Sequence, residues 1–145
     1  MKNSTIVLFL FLAYSTYSQN TFIENKGQMP VNVLCKAHLP SGALYIEEGK
    51  FTYVFYNQNQ IKESHNSTFS RDYIDAHSYK ANFVNSNKNT TFVLDSASKY
   101  YENYFIGNKA DWADNVKTYK QYTQNEIYDG VDLVMFSTEN KLKYE

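Results

Sequence analysis

The stretch that decides the fold is Ala43-Leu44-Tyr45-Ile46-Glu47-Glu48-Gly49-Lys50-Phe51-Thr52-Tyr53-Val54-Phe55-Tyr56, where two apolar and aromatic runs flank a short polar segment. Two such runs joined by polar residues that include a glycine are typical of a β-hairpin, so we place a turn at Gly49. Side chains of the second run alternate between two faces, and both faces are mostly apolar or aromatic. This pattern predicts a central strand that is covered on both sides.

Similar short segments occur on both sides of the hairpin and are separated by turn residues. The strand candidates are 33–37, 77–83, 91–94, 100–106, 116–122, 131–136 and 141–145. We interpret 22–30 as a turn-rich opening, 57–75 as a long polar surface loop, and 125–130 as a turn. Eight or nine short strands at roughly ten-residue spacing, with no convincing amphipathic helix, predict an all-β fold: an antiparallel β-sandwich-like domain or a barrel.

The composition excludes two classes of protein. The 145 residues carry 14 Lys and Arg against 15 Asp and Glu, a net charge of −1, so a nucleic-acid partner is not predicted. Hydrophobic residues make up 43% of the chain and aromatic residues 17%, which argues against disorder. The single Cys has no disulfide partner, and we interpret Cys35 as a small buried apolar residue rather than a nucleophile.

Residues 1–18 have the pattern of a secretory signal peptide: a positive start, the apolar run 6–13, and small residues at Thr16 and Ser18, three and one positions before the cleavage. The pattern predicts cleavage between Ser18 and Gln19. The apolar run is shorter than the ~20 residues that a membrane-spanning helix needs, so no integral span is expected after cleavage. Residues 19–145 are then expected to form a single β-rich domain outside the cytoplasm.

No local pattern predicts an enzyme, a cofactor or a metal site. Asp72, Asp75 and His77 form one cluster of oxygen and nitrogen ligands, which we interpret as a solvated loop that leads into a strand. Carboxylates such as Asp129 and Asp132 would serve glycoside hydrolysis only at a defined separation, which a sequence does not show. Asp132 alternates with apolar neighbours, so we expect its side chain on the solvent side of a sheet.

Four aromatic residues lie close together beside amide side chains. They are Tyr100, Tyr101, Tyr104 and Trp112, near Asn103 and Asn108. Exposed rings next to amides suit a carbohydrate surface, whereas aromatic residues of a β-domain more often fill its core. We favour the core reading and keep the four residues as a candidate ligand surface.

Three short motifs mark candidate modification sites on the surface. Asp95-Ser96-Ala97 is similar to a short O-glycosylation motif of exported bacterial proteins, which makes Ser96 a candidate glycosylation site. Asn66-Ser67-Thr68 and Asn89-Thr90-Thr91 match the N-glycosylation triplet, whose meaning depends on the host.

Seven segments in order resemble one family. They are Phe22-Ile23-Glu24-Asn25-Lys26-Gly27-Gln28, Leu44-Tyr45-Ile46-Glu47 with Phe51-Thr52-Tyr53, His77-Ser78-Tyr79-Lys80-Ala81-Asn82-Phe83, Tyr104-Phe105-Ile106-Gly107-Asn108, Trp112-Ala113-Asp114-Asn115-Val116-Lys117, Ile127-Tyr128-Asp129-Gly130-Val131-Asp132-Leu133 and Leu142-Lys143-Tyr144. The chain resembles the N-terminal domain of unknown function of large exported proteins from gliding and gut bacteria (Bacteroidota). Such proteins continue into SBBP β-propeller-type or PKD repeats and end in gliding-motility-type C-terminal sorting domains for type IX secretion.

The resemblance implies a secreted or cell-surface, adhesin-like β-domain without established catalytic residues. Its expected partners are other surface proteins or extracellular polysaccharide, with a periplasmic location as the alternative if the sorting domain is missing. Family members run on past the Leu-Lys-Tyr segment, so we expect the last strands of the domain to lie beyond Glu145. An incomplete domain would leave an open sheet edge that invites pairing with another chain.

Overall fold

The computed structural model describes residues 21–65, 72–138 and 141–145. Its strands are β1 (Phe22–Glu24), β2 (Val33–Leu39), β3 (Gly42–Glu47), β4 (Lys50–Tyr56), β5 (Ala76–Asn82), β6 (Phe92–Tyr104), β7 (Ala113–Tyr128), β8 (Val131–Thr138) and β9 (Lys141–Tyr144). A short helix, α1 (Gln58–Ser64), follows β4, and a 3₁₀ turn (Lys109–Asp111) joins β6 to β7. Within these ranges, no helix has both the length and the apolar composition to cross a membrane.

All nine strands belong to one antiparallel sheet with the order β5-β4-β3-β2-β1-β7-β8-β9, and β6 pairs with β7. One edge of β7 pairs with β6, while its other edge is shared by β1, near Thr118 and Tyr119, and by β8, from Gln121 onward. The sheet curls into a half-barrel. The all-β antiparallel prediction is confirmed, and the strands form one curled sheet instead of two separate layers.

Alternate side chains of the strands point to opposite faces, and each face carries its own core. In β1, Phe22 joins the larger cluster and Ile23 the smaller one, and both side chains are fully buried. We call the face with the larger cluster the inner face. Its buried members are Phe22, Cys35, Ala37, Leu44, Ile46, Phe51, Tyr122, Ile127, Leu133 and Met135. On the outer face, the buried members are Ile23, Ala113 and Val116.

The predicted hairpin of β3 and β4 is confirmed. The prediction that its second strand is covered on both faces is wrong. Gly49 forms the β3–β4 turn with φ +67°, a conformation that suits glycine. Among the residues of β4, only Phe51 is buried, and Tyr56 is exposed. Pairing with β3 and β5 makes β4 an interior strand of the sheet, yet both of its faces remain partly open to solvent.

The prediction of a surface loop at 57–75 is wrong for residues 58–64, which form the helix α1. Asn57 caps this helix, because its side-chain oxygen accepts hydrogen bonds from the N–H groups of Asn59 (3.1 Å) and Gln60 (3.3 Å). The buried Gln60 side chain donates to the Asp75 carboxylate (2.6 Å) and accepts from the Asp75 N–H (2.7 Å). The Asn57 cap and the hydrogen bonds between Gln60 and Asp75 hold this helix. Hydrophobic periodicity therefore gave no signal for it.

Three predicted boundaries are also corrected. The opening at 22–30 contains β1, and most residues of the candidates 91–94 and 100–106 lie in one strand, β6, whereas Phe105 and Ile106 follow after its end. Strand β7 continues through most of the predicted turn at 125–130 and ends at Tyr128. Register shifts in β6 and β7 let the pairing continue across residues whose sequence looks like a turn.

A buried carboxylate fixes the end of the β3–β4 hairpin. Glu47 is 6% exposed and accepts hydrogen bonds from Asn32 Nδ2 (2.5 Å) and Thr52 Oγ1 (2.8 Å). The Lys50 ammonium lies 2.8 Å from the same carboxylate. Burial alone would raise the pKa of Glu47, but the hydrogen bonds from Lys50, Thr52 and Asn32 outweigh it and hold the pKa below its usual range.

The lowered pKa predicts acid sensitivity. The stabilisation from Glu47 is present above the pKa of an unfolded glutamate and is lost as the pH falls through the lower pKa of the folded state. We expect Glu47→Gln to lower the free energy of unfolding by about 1.5 kcal/mol at neutral pH and by less in acid. Urea unfolding at several pH values measures this, with exposed Glu63→Gln as control. A constant difference across the pH series would contradict the prediction.

Candidate functional site

The outer half of the β6–β7 hairpin, residues 100–118, carries most of the candidate ligand surface. We call this segment the distal hairpin. Tyr100, Tyr101 and Trp112 are 81%, 59% and 44% exposed, respectively. The rings lie on a two-stranded extension, because among the described strands β6 pairs here only with β7. The structure therefore places three of the four predicted aromatic residues in solvent.

The turn of the distal hairpin forms an apolar surface, the aromatic tip, which consists of Phe105, Ile106 and Trp112. The rings of Phe105 and Trp112 pack with their centroids 5.1 Å apart and tilted by 59°. Ile106 and Phe105 are 76% and 58% exposed. Gly107, with φ +73°, turns the chain between them and Trp112. Sequence reasoning found Trp112 but treated Phe105 and Ile106 only as the end of a strand.

Tyr104 does not join this exposed surface. Its ring is half-buried on the outer face of the sheet, where it packs against Ile23, Ala113 and Val116. The register explains the difference, since Tyr104 lies opposite Ala113, whose side chain is buried. Phe105 follows directly after the end of β6 and is 58% exposed.

A polar network joins the distal hairpin to β2. Lys36 Nζ donates to the Tyr104 hydroxyl (3.3 Å) and lies 5.5 Å from the centre of its ring. The Tyr104 hydroxyl donates to the Glu102 carboxylate, whose other oxygen lies 3.2 Å from His38 Nε2. These contacts link the hairpin to the sheet by polar groups in addition to the small apolar cluster.

Burial changes the acidity of two groups in this network. It raises the pKa of Tyr104 well above the usual range, and the hydrogen bond to Glu102 and the charge of Glu102 act in the same direction. Burial also lowers the pKa of Lys36, against the opposing effect of the Glu102 charge. The phenol therefore keeps its proton, and Tyr104 remains the donor to Glu102.

A second group of rings on β4 and β5 was not singled out from the sequence. Tyr53 and Tyr79 stack with centroids 4.7 Å apart, and Phe55 lies parallel to both at 6.3 and 6.1 Å. These separations lie within the range of interacting aromatic pairs. We call this group the aromatic ladder. The period-two pattern of both strands was its sequence signal.

Residues considered for chemistry form contacts within the fold. The Asp129 carboxylate accepts from Asn87 Nδ2 (2.9 Å), and the Asp132 carboxylate accepts from the Glu126 N–H (2.7 Å). Cys35 lies in the inner core, and burial raises the pKa of its thiol. In the described part of the chain, no three His, Cys, Asp or Glu side chains converge on a possible metal position.

Two candidate modification sites are exposed. Ser96 lies at an irregular position of β6, with φ +57°, and Asn89 lies in the loop before that strand, with φ +58°. Exposure is compatible with modification at both. The Asn66 triplet and the predicted signal segment 1–18 with its cleavage position lie outside the described residues.

An open cleft of about 540 Å³ lies beside the first turn and is lined mainly by apolar groups. The Asn25 side chain is its polar element and is engaged with the turn itself. It donates to the carbonyls of Pro30 and Val33 and accepts from the N–H of Gly27. A small-molecule site needs placed polar groups that are available to a ligand, so this cleft is a weaker candidate than the distal hairpin.

The fold and its surfaces define an all-β module with an exposed aromatic group at the turn of one long hairpin. The chain belongs to the family described as Domain of unknown function (DUF7948), which matches residues 22–145. Searches of curated proteins and of solved structures gave no match.

Proposed function

We propose that this chain is a non-catalytic, exported interaction module of adhesin-like type, which binds its partner through the distal hairpin. The observation that carries the proposal is the exposure of Phe105, Ile106 and Trp112 at the turn of the distal hairpin. Large apolar side chains grouped on a surface are typical of interaction sites. Aromatic residues, Trp and Tyr in particular, supply much of the binding energy of protein interfaces.

The wider setting is part of the same proposal. We propose that the chain is an N-terminal module of a large secreted protein of Bacteroidota with SBBP or PKD repeats and a sorting domain for type IX secretion. The match to a family of unknown function over residues 22–145 is compatible with this setting. Detection of the protein only in the cytoplasm after cell fractionation would contradict it.

Carbohydrate binding is the second candidate. Tyr101 and Asn103 are exposed on β6, and exposed Phe105 follows directly after the end of that strand, so an amide lies between two exposed rings along the chain. The Asn103 side-chain oxygen accepts from the Asn115 N–H (2.8 Å). Lys117 lies opposite Tyr101 on β7 and adds a hydrogen-bond donor. Such a row suits an extended polysaccharide, in which apolar sugar faces pack on rings and hydroxyl groups bind amides and amines.

Substitutions in the distal hairpin separate the two candidates. We expect Trp112→Ala to weaken binding to the partner at least tenfold, because it removes the larger ring of the aromatic tip. Tyr101→Ala should weaken binding strongly only if the ligand is a polysaccharide that runs along β6. A glycan array and cross-linking on intact cells measure both, with exposed Tyr144→Ala as control. Unchanged binding in both variants would contradict the assignment of this surface.

A further inference from the structure

Strand β5 is an open and regular edge of the sheet. It spans Ala76–Asn82, all seven residues are exposed, and within the described residues it pairs only with β4. Its register with β4 runs without interruption from Lys50 opposite Asn82 to Tyr56 opposite Ala76. A regular edge strand with outward-directed backbone groups is a template for another strand.

Backbone hydrogen bonds fix which groups of β5 point outward. The Phe83 N–H donates to the Gly49 carbonyl (2.9 Å), and the Asn57 N–H donates to the Asp75 carbonyl (2.9 Å). Because orientation alternates along a strand, the odd-numbered residues between these positions direct their backbone groups toward β4. Ala76, Ser78, Lys80 and Asn82 therefore direct theirs away from the sheet.

We propose that two copies of this chain associate through β5, antiparallel, about a two-fold axis at Tyr79. In this register, Ser78 of one copy lies opposite Lys80 of the second copy, and Ala76 opposite Asn82. Every outward N–H and C=O group of β5 then finds a partner. The interface is isologous, as a two-fold dimer requires.

Charge favours this register. Lys80 is the one charged residue of β5, and a lysine on an edge normally discourages pairing. About Tyr79, however, Lys80 faces Ser78 and not a second lysine. Like charges directly opposite one another, which destabilise a strand pair, are therefore avoided.

The aromatic ladder also favours this register. The Tyr79 ring stacks on Tyr53, with the two centroids 4.7 Å apart, and about half of the Tyr79 side chain remains exposed to solvent. On the two-fold axis, Tyr79 occupies a non-hydrogen-bonded position, where opposed side chains approach most closely. The ladder then continues into the second copy.

The other edges are less suited to pairing. Strand β6 contains register shifts between Ala97 and Tyr101 and between Glu102 and Tyr104, which break its outer edge. Strand β9 has four residues, and two of them are lysines. Short, charged or irregular strands are the usual protection against edge pairing, and β5 has only Lys80.

Opposite charge changes at Ser78 test the proposal on the full chain by sedimentation equilibrium. We expect a concentration-dependent dimer whose dissociation constant rises about fivefold in Ser78→Lys, since each copy then faces a like charge twice. Ser78→Glu should lower the dissociation constant about fivefold, with the gain lost at high salt. The same changes at the exposed Val31 serve as controls. A monomer at all concentrations, or equal shifts in both variants, would overturn the proposal.

A cysteine experiment tests the register directly. On the two-fold axis, the two Tyr79 Cα atoms are about 4.5 Å apart, within the range of a disulfide. Oxidation by copper phenanthroline in air should therefore cross-link Tyr79→Cys dimers readily and Ser78→Cys dimers poorly. Equal cross-linking, or more in Ser78→Cys, would exclude the register.

Discussion

Tyr122→Ala is expected to lower the free energy of unfolding by about 4 kcal/mol, the largest effect that we predict for one substitution. Tyr122 is fully buried on β7, and its ring packs against Phe22 and Phe92 at 6.1 and 5.9 Å. Truncation removes these contacts and leaves a cavity between β1 and β6. Chemical denaturation monitored by circular dichroism measures the loss.

Tyr122→Phe is the matched control because it keeps the ring and removes only the hydroxyl. That hydroxyl donates to Gln124 Oε1 (3.1 Å), and Gln124 in turn donates to Thr90 (2.6 Å). Loss of the donor leaves a buried acceptor unpaired and should cost about 1.5 kcal/mol. Equal losses in the two variants would show that the ring contributes little, which would contradict the prediction.

Gly42→Ala is expected to cost about 3 kcal/mol, although it adds a single methyl group. A Cβ at Gly42 would lie 1.9 Å from the Val54 carbonyl oxygen and 2.9 Å from the Phe55 Cα. Both neighbours are backbone atoms of β4, so relief requires β3 and β4 to separate. Thermal and urea unfolding measure the effect.

Gly107→Ala separates steric clash from backbone strain. Gly107 has φ +73°, and no atom of residues 21–65, 72–138 and 141–145 lies within 4 Å of a Cβ built there, so only the cost of the left-handed conformation remains. We expect about 1 kcal/mol for it. A larger loss in Gly107→Ala than in Gly42→Ala would contradict the steric explanation.

Much of the sheet could be predicted because its signals are local. Alternation and one glycine identified β3 and β4, and strong apolar runs identified β8. Helix α1 has no such signal, since Asn57 and the Gln60–Asp75 pair hold it and the members of that pair are separated by 15 residues. The continuity of β6 was missed because partner strands hold together segments that read as turns when considered alone.

The candidate surface was predicted only in part, because it also depends on contacts between residues that are far apart in the sequence. Sequence proximity grouped Tyr104 with Trp112, but the pairing of Tyr104 with Ala113 turns its ring toward the sheet. Exposure of Phe105 depends on a hairpin that extends beyond β1, and no local pattern shows where a neighbouring strand ends. The register of strand pairing therefore decides which aromatic side chains face the sheet and which face solvent.

The position of β1 between β2 and β7 constrains the order in which the molecule folds. The Glu24 carboxylate accepts from the Lys117 N–H at 2.8 Å, and these residues are 93 positions apart. Contacts of such separation close large loops and slow folding. If the chain emerges N-terminus first, β1 can pair with β2 early, but its other edge must wait until β7 is present. Closure of the β1–β7 pair is thus the expected late and rate-limiting event in folding.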